Sequence, residues 1–181
     1  MFRSKALASG QGFWVYSLVY RAEEAVEMNG SSSISPPRHI VLLGYGGLLP
    51  FIGLALLILT SVEYRPFLAV ALVNYGAVIL SFVGALHWGF AMSVQNMSAE
   101  LRRNRLIWSV IPALIAWLST LLPVSVGCLL LIVGFLVHFW QDRQLVRAVS
   151  LHAWYLPMRF RLTAVASVCL LIGAIAVVIF S

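Results

Sequence analysis

NYGAVILSFVGALHWGFAMS, residues 74–93, decides the fold class of this chain. It carries no charge, and with the approach from Phe67 it forms one apolar stretch of the length a helix needs to cross a bilayer, about 20 residues. From Phe67 to Ser93 the stretch would extend about 40 Å at 1.5 Å per residue, longer than a hydrocarbon core of about 30 Å. Either the helix tilts or its His87-Trp88 end lies in the interface, where tryptophan concentrates. At helical spacing Ala77, Ser81, Ala85, Gly89 and Ser93 recur every four residues. Such a ridge of small side chains lets another helix approach closely in lipid, where packing replaces the hydrophobic effect as the driving force. Asn74 and Ser81 are seven apart and Trp88 continues the line. Asn74 is therefore expected to hydrogen-bond a neighbouring helix.

The composition extends that reading to the whole chain. Hydrophobic residues make up 61% of it and charged residues 10%, too few charges to clothe a soluble domain of 181 residues. The formal charge of +6 does not signal nucleic acid, because the basic residues sit in short breaks between apolar runs rather than on one soluble face. Spans are expected at about 39–61, 67–93, 106–122, 125–140 and 162–180, giving an all-α integral membrane protein built as a bundle of five transmembrane helices. In the first span Gly44, Gly46 and Gly47 thin the helix and Pro50 removes a backbone donor, so a kink or broken turn is expected there. The third and fourth spans read as a hairpin turning at Pro123 to Ser125, followed by a loop from Gln141 to Arg161. Cys128 and Cys169 lie in different spans without a CxxC or metal-ligand spacing and read as small buried hydrophobes.

Residues 1–37 differ in composition and read as a peripheral extension and linker. Arg3 and Lys5 precede an apolar-aromatic run from Phe13 to Tyr20, too short to span, and then Glu23, Glu24 and Glu27. No small-residue cleavage pattern follows, so the run fits a surface-lying helix or an organelle-targeting segment rather than a secretory signal. Met28 would serve equally as a start. Ser31 to Pro37 reads as a flexible linker.

Charge fixes an orientation. With five spans, one side collects Arg3, Lys5, Arg21 and Arg38, then Arg102, Arg103 and Arg105, then Arg143, Arg147, Arg159 and Arg161. Arg65 alone falls on the other. The positive-inside rule puts the N-terminus in the cytoplasm or mitochondrial matrix and the C-terminus outside, in a bacterial cytoplasmic membrane or, alternatively, the mitochondrial inner membrane.

That topology gathers His39, His87, His138 and His152 at the inner face. Asp142 lies four residues beyond His138, so on a continuing helix the two share a face. The candidate inner-face pocket is His87, Trp88, His138, Asp142, Trp154, Tyr155 and Arg159, with His87, His138 and Asp142 able to handle a proton, a polar head group or, as the weakest option, a metal. The bland reading of the same residues is interfacial anchoring. No HxxH or HExxH spacing is present, so no metal is expected, and neither is any cofactor or catalytic residue. The helix-packing set is Asn74, Ala77, Ser81, Ala85 and Gly89.

The order of motifs resembles the transmembrane protein 69-like family, small multi-span membrane proteins carrying a domain of unknown function. LLGYGGLLPF comes first, then Ser-Phe-x-Gly-x-x-His-Trp-Gly from Ser81, Pro-Ala-x-x-x-Trp from Pro112, Asp142, and Trp154-Tyr155 before Arg159-x-x-Leu-Thr. The resemblance covers about residues 38–180 and places Asn74, Ser81, Gly84, His87, Trp88, Gly89, Pro112, Trp117, Asp142, Trp154, Tyr155, Arg159 and Thr163 at motif positions. It implies a fold and no reaction.

Two functions are compatible with these residues. The first is a small subunit or assembly partner of a larger membrane complex, or a homo-oligomer, without chemistry of its own. The second is an inner-leaflet binding protein, carrier or enzyme for a lipid-soluble head group such as a quinone or an anionic phospholipid. A transporter is the weaker reading, since residues 67–93 hold no charge and no inverted repeat is visible.

Overall fold

In a computed structural model the described residues are 36–95, 97–149 and 151–180, and among them all regular structure is helical. The expectations for residues 1–35 lie outside them. Six helices follow in order: α1 (Arg38–Gly46), α2 (Leu49–Thr60), α3 (Arg65–Ser93), α4 (Ala99–Thr120), α5 (Val124–Ala148) and α6 (Tyr155–Ile179). Four segments are long and apolar enough to cross a membrane: Arg38–Thr60, which contains α1 and α2, and then α3, α5 and α6. The fifth expected span, α4, opens with Glu100, Arg102, Arg103 and Arg105 and is less apolar.

The first segment breaks at Gly47 and Leu48, just before Pro50 at the start of α2. A broken helix at membrane depth leaves carbonyls without donors. One of them is answered from outside: the Tyr75 hydroxyl of α3 donates to the Gly47 carbonyl oxygen at 2.8 Å. Phe51, one turn on, packs edge-on against Tyr75 and Phe135, with ring centroids 5.0 and 6.2 Å away. The break is thus pinned to α3 and α5 by one hydrogen bond and a small aromatic cluster.

The helix α3 is central, packed on α2, α4, α5 and α6, while α6 also packs on α2 and α5. Its inward stripe is Leu72, Val73, Gly76, Ala77, Leu80, Val83, Gly84, His87 and Ala91. The small-residue ridge expected to pack inside the bundle is therefore corrected. Ala77 is interior and Ser81 half-buried, but Ala85, Gly89 and Ser93 are exposed. The inward stripe runs one position earlier, because a row taken every four residues drifts around a helix of 3.6 residues per turn. Asn74 faces outward too, and Ser81 donates to the Ala77 carbonyl of its own helix rather than across an interface.

Gly84 sets the closest approach between α3 and α4. A Cβ there would stand 2.9 Å from Pro112 Cβ and 3.1 Å from the Ser109 carbonyl oxygen. Only a glycine admits the neighbouring helix at that distance. Gly127 does the same for α4 and α5, where a Cβ would meet the Ser119 carbonyl oxygen at 2.5 Å.

The region expected as a loop from Gln141 to Arg161 is mostly helix. α5 runs on to Ala148 and α6 begins at Tyr155. Charged residues end an apolar stretch without ending a helix, because Gln, Arg and Leu are good helix formers in water as well. The consequence is functional: Asp142 and Arg159 sit on rigid helices, not in a mobile loop. Residues 36–181 form one compact unit.

Candidate functional site

Asp142 is the centre of the site and has no exposed surface. It lies on the buried stripe of α5 that reads Leu131, Phe135, His138, Asp142, Leu145, each step three or four residues. Its Oδ1 accepts from His87 Nε2 of α3 at 3.0 Å and from the Tyr155 hydroxyl of α6 at 3.0 Å. Its Oδ2 accepts from Arg159 Nε, also on α6, at 2.8 Å. Tyr155 and Arg159 are four apart and so share a helix face, which continues inward through Thr163 and Ala166. Two helices, α3 and α6, thus supply the carboxylate of a third with three donors, two of them neutral-capable and one a permanent cation. A buried carboxylate needs such company, since leaving it unpaired in low dielectric costs several kcal/mol.

His138 stands at the edge of this network. Its Nε2 is 3.8 Å from Asp142 Oδ1, beyond hydrogen-bond length, and its ring centroid is 4.9 Å from that of His87. Trp108 of α4 stacks on it and donates its indole N–H to His138 Nδ1 at 3.2 Å. An indole nitrogen only donates, so Nδ1 must be the unprotonated nitrogen and a neutral ring carries its proton on Nε2. This bears on metal binding. The ligand atoms of His87, His138 and Asp142 all lie within 4.8 Å of one another. Yet a metal there would need an open lone pair on the very His138 nitrogen that Trp108 makes the proton carrier, and would have to displace His87 from Asp142. The arrangement suits a shared hydrogen-bond network better than a metal cage.

Beside the network lies a cavity of about 550 Å³, within the usual range for a small-molecule site. Its wall is apolar: Leu43, Leu48 and Phe51 from the broken segment, Phe82, Leu86 and Phe90 from α3, and Met158, Leu162 and Ala166 from α6. Tyr155, Arg159, Trp154 and His152 form its polar end. Leu43 and Phe82 also lie exposed on the outer surface, so the cavity opens sideways between α1 and α3. α1 buries none of its own residues, which is what leaves the space beneath it unfilled. Buried nitrogens without a partner among the described residues include Trp154 Nε1 in the wall and, in the network beside it, His87 Nδ1 and His138 Nε2.

Of the expected pocket residues, His87, His138, Asp142, Tyr155 and Arg159 converge, and Trp154 joins them through the cavity wall. Trp88 does not: it is 57% exposed and points away from His87, its neighbour in sequence. Adjacent residues on a helix are 100° apart, so the two could not both face inward. Of the other histidines, His39 is exposed on α1, while His152 is exposed and tilted against Trp154 at 5.6 Å between centroids. Two members were missed. Trp108 fixes His138, and Arg105 is only 4% exposed, donating to both the Gln141 carbonyl and its side-chain amide oxygen. The signal was present, since Arg105, Pro112, Ala116 and Ser119 form one continuous buried stripe of α4 at helical spacing.

The model of a protein family described as of unknown function, DUF3429, matches residues 36–175. Transmembrane protein 69 of Xenopus tropicalis is 36% identical over 132 residues, covering 72% of this chain and 51% of the frog protein. Transmembrane protein 69 of Mus musculus is 26% identical over 146 residues, covering 78% of this chain and 58% of the mouse protein. The chain thus spans little more than half the length of these relatives. No solved structure matches it. Matched over residues 36–175 and more than one-third identical to one relative, the chain belongs to the transmembrane protein 69-like family of multi-span membrane proteins.

Proposed function

We propose that this membrane protein binds an amphiphilic small molecule in the cavity beneath α1. The molecule's apolar body would lie against Phe82, Leu86 and Leu162, and its head group would meet Trp154, Tyr155 and Arg159. The observation that carries the reading is the meeting of a charged network centred on the buried Asp142 with an apolar cavity that opens sideways from the bundle. The head group should be rich in acceptors, a quinone carbonyl or a phosphate oxygen, because Trp154 Nε1 is an unpaired donor in the wall and Arg159 is a cation. His87, Asp142 and Tyr155 hold Arg159 in place and offer a route by which a proton could reach the head group. We assign the protein five crossings, with the His87 end of the bundle in the cytoplasm or matrix, on the basic residues at that end. The membrane is then a bacterial cytoplasmic or mitochondrial inner one.

The test is co-purification. Extracted in mild detergent and examined by native mass spectrometry, the natural chain should retain a lipid-soluble molecule near one per protein. Ala166→Trp, which fills the cavity from α6, should lose it while keeping the same helical content. A chain that carries nothing, or a variant that retains the same molecule, defeats the reading.

A second reading has its own observation. Ala85, Gly89 and Ser93 line up on the outer face of α3, and a Cβ on Gly89 would meet nothing within 4 Å. A ridge of that kind fits a helix from another chain, either a larger complex or a second copy. Cysteine placed at position 89 should then crosslink in native membranes, and its failure to do so would remove this reading.

A further inference from the structure

On the far side of Trp108 from the cavity is a second recess, of about 290 Å³, between α4 and α5. Its polar lining is Asn104, Arg105, Gln141 and Gln144, and Trp108 and Ile111 form its apolar wall. We propose that this recess binds an anionic phosphate ester at the membrane boundary, with Arg105 as the principal ligand. The proposal is independent of the amphiphile cavity.

Three observations converge on it. First, charge at this end of the bundle does not balance. Among the described residues Arg105 and Arg159 are both buried, against one buried carboxylate, Asp142. Asp142 is committed to Arg159, and among the described residues no acid forms an ion pair with Arg105. A buried guanidinium that shares its one buried counter-charge, Asp142, with Arg159 calls for another. Second, donors are left unspent. Arg105 Nη1 holds Gln141 by its carbonyl at 3.1 Å and its amide oxygen at 2.9 Å, which fixes the guanidinium while its buried Nε stays without a partner. Because Gln141 accepts through its amide oxygen, its amide N–H groups remain to donate, as do those of Gln144 and Asn104. A planar guanidinium beside several amide donors is the chemistry that recognises phosphate oxygens.

Third, the recess lies where the outer surface changes character. On α4 the exposed residues are apolar from Ile107 through Val110 and Leu114, and on α5 they are apolar back from Trp140. Beyond them come the exposed Arg103, Asn104, Arg143 and Arg147. That transition is the level at which the phosphates of a leaflet sit. The source of the phosphate is therefore a lipid head group or a soluble phosphate, and the experiment separates them.

The full chain in mild detergent is titrated with phosphatidylglycerol, phosphatidylcholine or inorganic phosphate, and bound ligand is counted by native mass spectrometry. Phosphatidylglycerol should be retained over phosphatidylcholine by about tenfold, the size of one charged hydrogen-bond pair. Arg105→Gln should abolish that preference. Gln144→Ala, which removes a donor without touching the buried charge, should weaken it in a chain that still folds. Arg147→Gln, an exposed arginine one turn further out, should leave it unchanged. Inorganic phosphate bound in an Arg105-dependent way, with no preference among lipids, would assign the same site to a soluble phosphate. Ligand binding equal in the natural chain, Arg105→Gln and Gln144→Ala would overturn the proposal. So would a loss in Arg147→Gln as large as in Arg105→Gln.

Discussion

Changing Asp142 to Asn removes one charge and almost no volume, so its effect isolates what the carboxylate does. In the natural chain both oxygens accept: His87 and Tyr155 on Oδ1 at 3.0 Å each, and Arg159 on Oδ2 at 2.8 Å. An amide offers one oxygen and one NH₂ group. With its oxygen turned to Arg159, its NH₂ faces His87 and Tyr155, which must then change from donor to acceptor, and the Arg159 guanidinium keeps its charge in a buried place without a counter-ion. Breaking a buried pair in this way costs about 3–5 kcal/mol. For a chain of this size each kcal/mol moves a melting temperature by about 2–4 °C, so Asp142→Asn should fall by roughly 10 °C. Asp142→Leu combined with Arg159→Met should recover most of that loss. An apolar pair of similar size is often neutral against a buried ion pair. Thermal unfolding in mild detergent, followed by size-exclusion fluorescence, gives all the corners of the cycle once Asp142→Leu and Arg159→Met are added singly. The reasoning is wrong if Asp142→Asn melts within 2–3 °C of the natural chain, less than about 1 kcal/mol. It is equally wrong if the double variant is as unstable as its singles added together.

Other perturbations follow from the same geometry. Gly84→Ala forces a Cβ to within 2.9 Å of Pro112 and should cost about 1–3 kcal/mol, whereas Gly89→Ala enters open space and should leave the melting temperature unchanged. Trp108→Phe keeps the stack but leaves His138 Nδ1 buried without its donor, a loss of about 1–3 kcal/mol in the same melt. Since Trp108 holds the proton of His138 on Nε2, added zinc should not raise the melting temperature of the natural chain. A clear rise would put a metal between His87, His138 and Asp142. A reporter fused at Ser181 should be active only outside the cytoplasm or matrix, and activity inside would reverse the assigned orientation.

Helix existence was legible because uncharged stretches of spanning length leave little choice, and the polar centre was legible because ionisable residues within spans are costly and rare. His87 and His138 stood out on that ground, Asp142 by lying four residues beyond His138, and Tyr155 and Arg159 by their place beside the last span. The inward faces were not legible. In lipid, outer and inner faces are both apolar, so hydrophobic periodicity does not say which side of α3 is buried. The row from Ala77 to Ser93 was taken for the inward one, whereas it is Gly84 that meets Pro112 of the neighbouring helix. Trp88 and Asn74 fell on the losing face. Arg105 was passed over for a different reason: as one of several basic residues in a break it read as a topology signal. Its alignment with Pro112 and Ala116 marks it as interior once α4 is extended back to Ala99.

The central claim is that the cavity beneath α1 holds an amphiphile by its head group. The direct measurement is photo-crosslinking with an alkyl-diazirine analogue of a phospholipid or quinone, followed by mapping of the labelled residues. Label concentrated on Phe82, Leu86, Met158 and Leu162, and lost in Ala166→Trp, is the predicted result. Label spread evenly over outward residues such as Leu114, Val133 and Val168, and unaffected by filling the cavity, would contradict it.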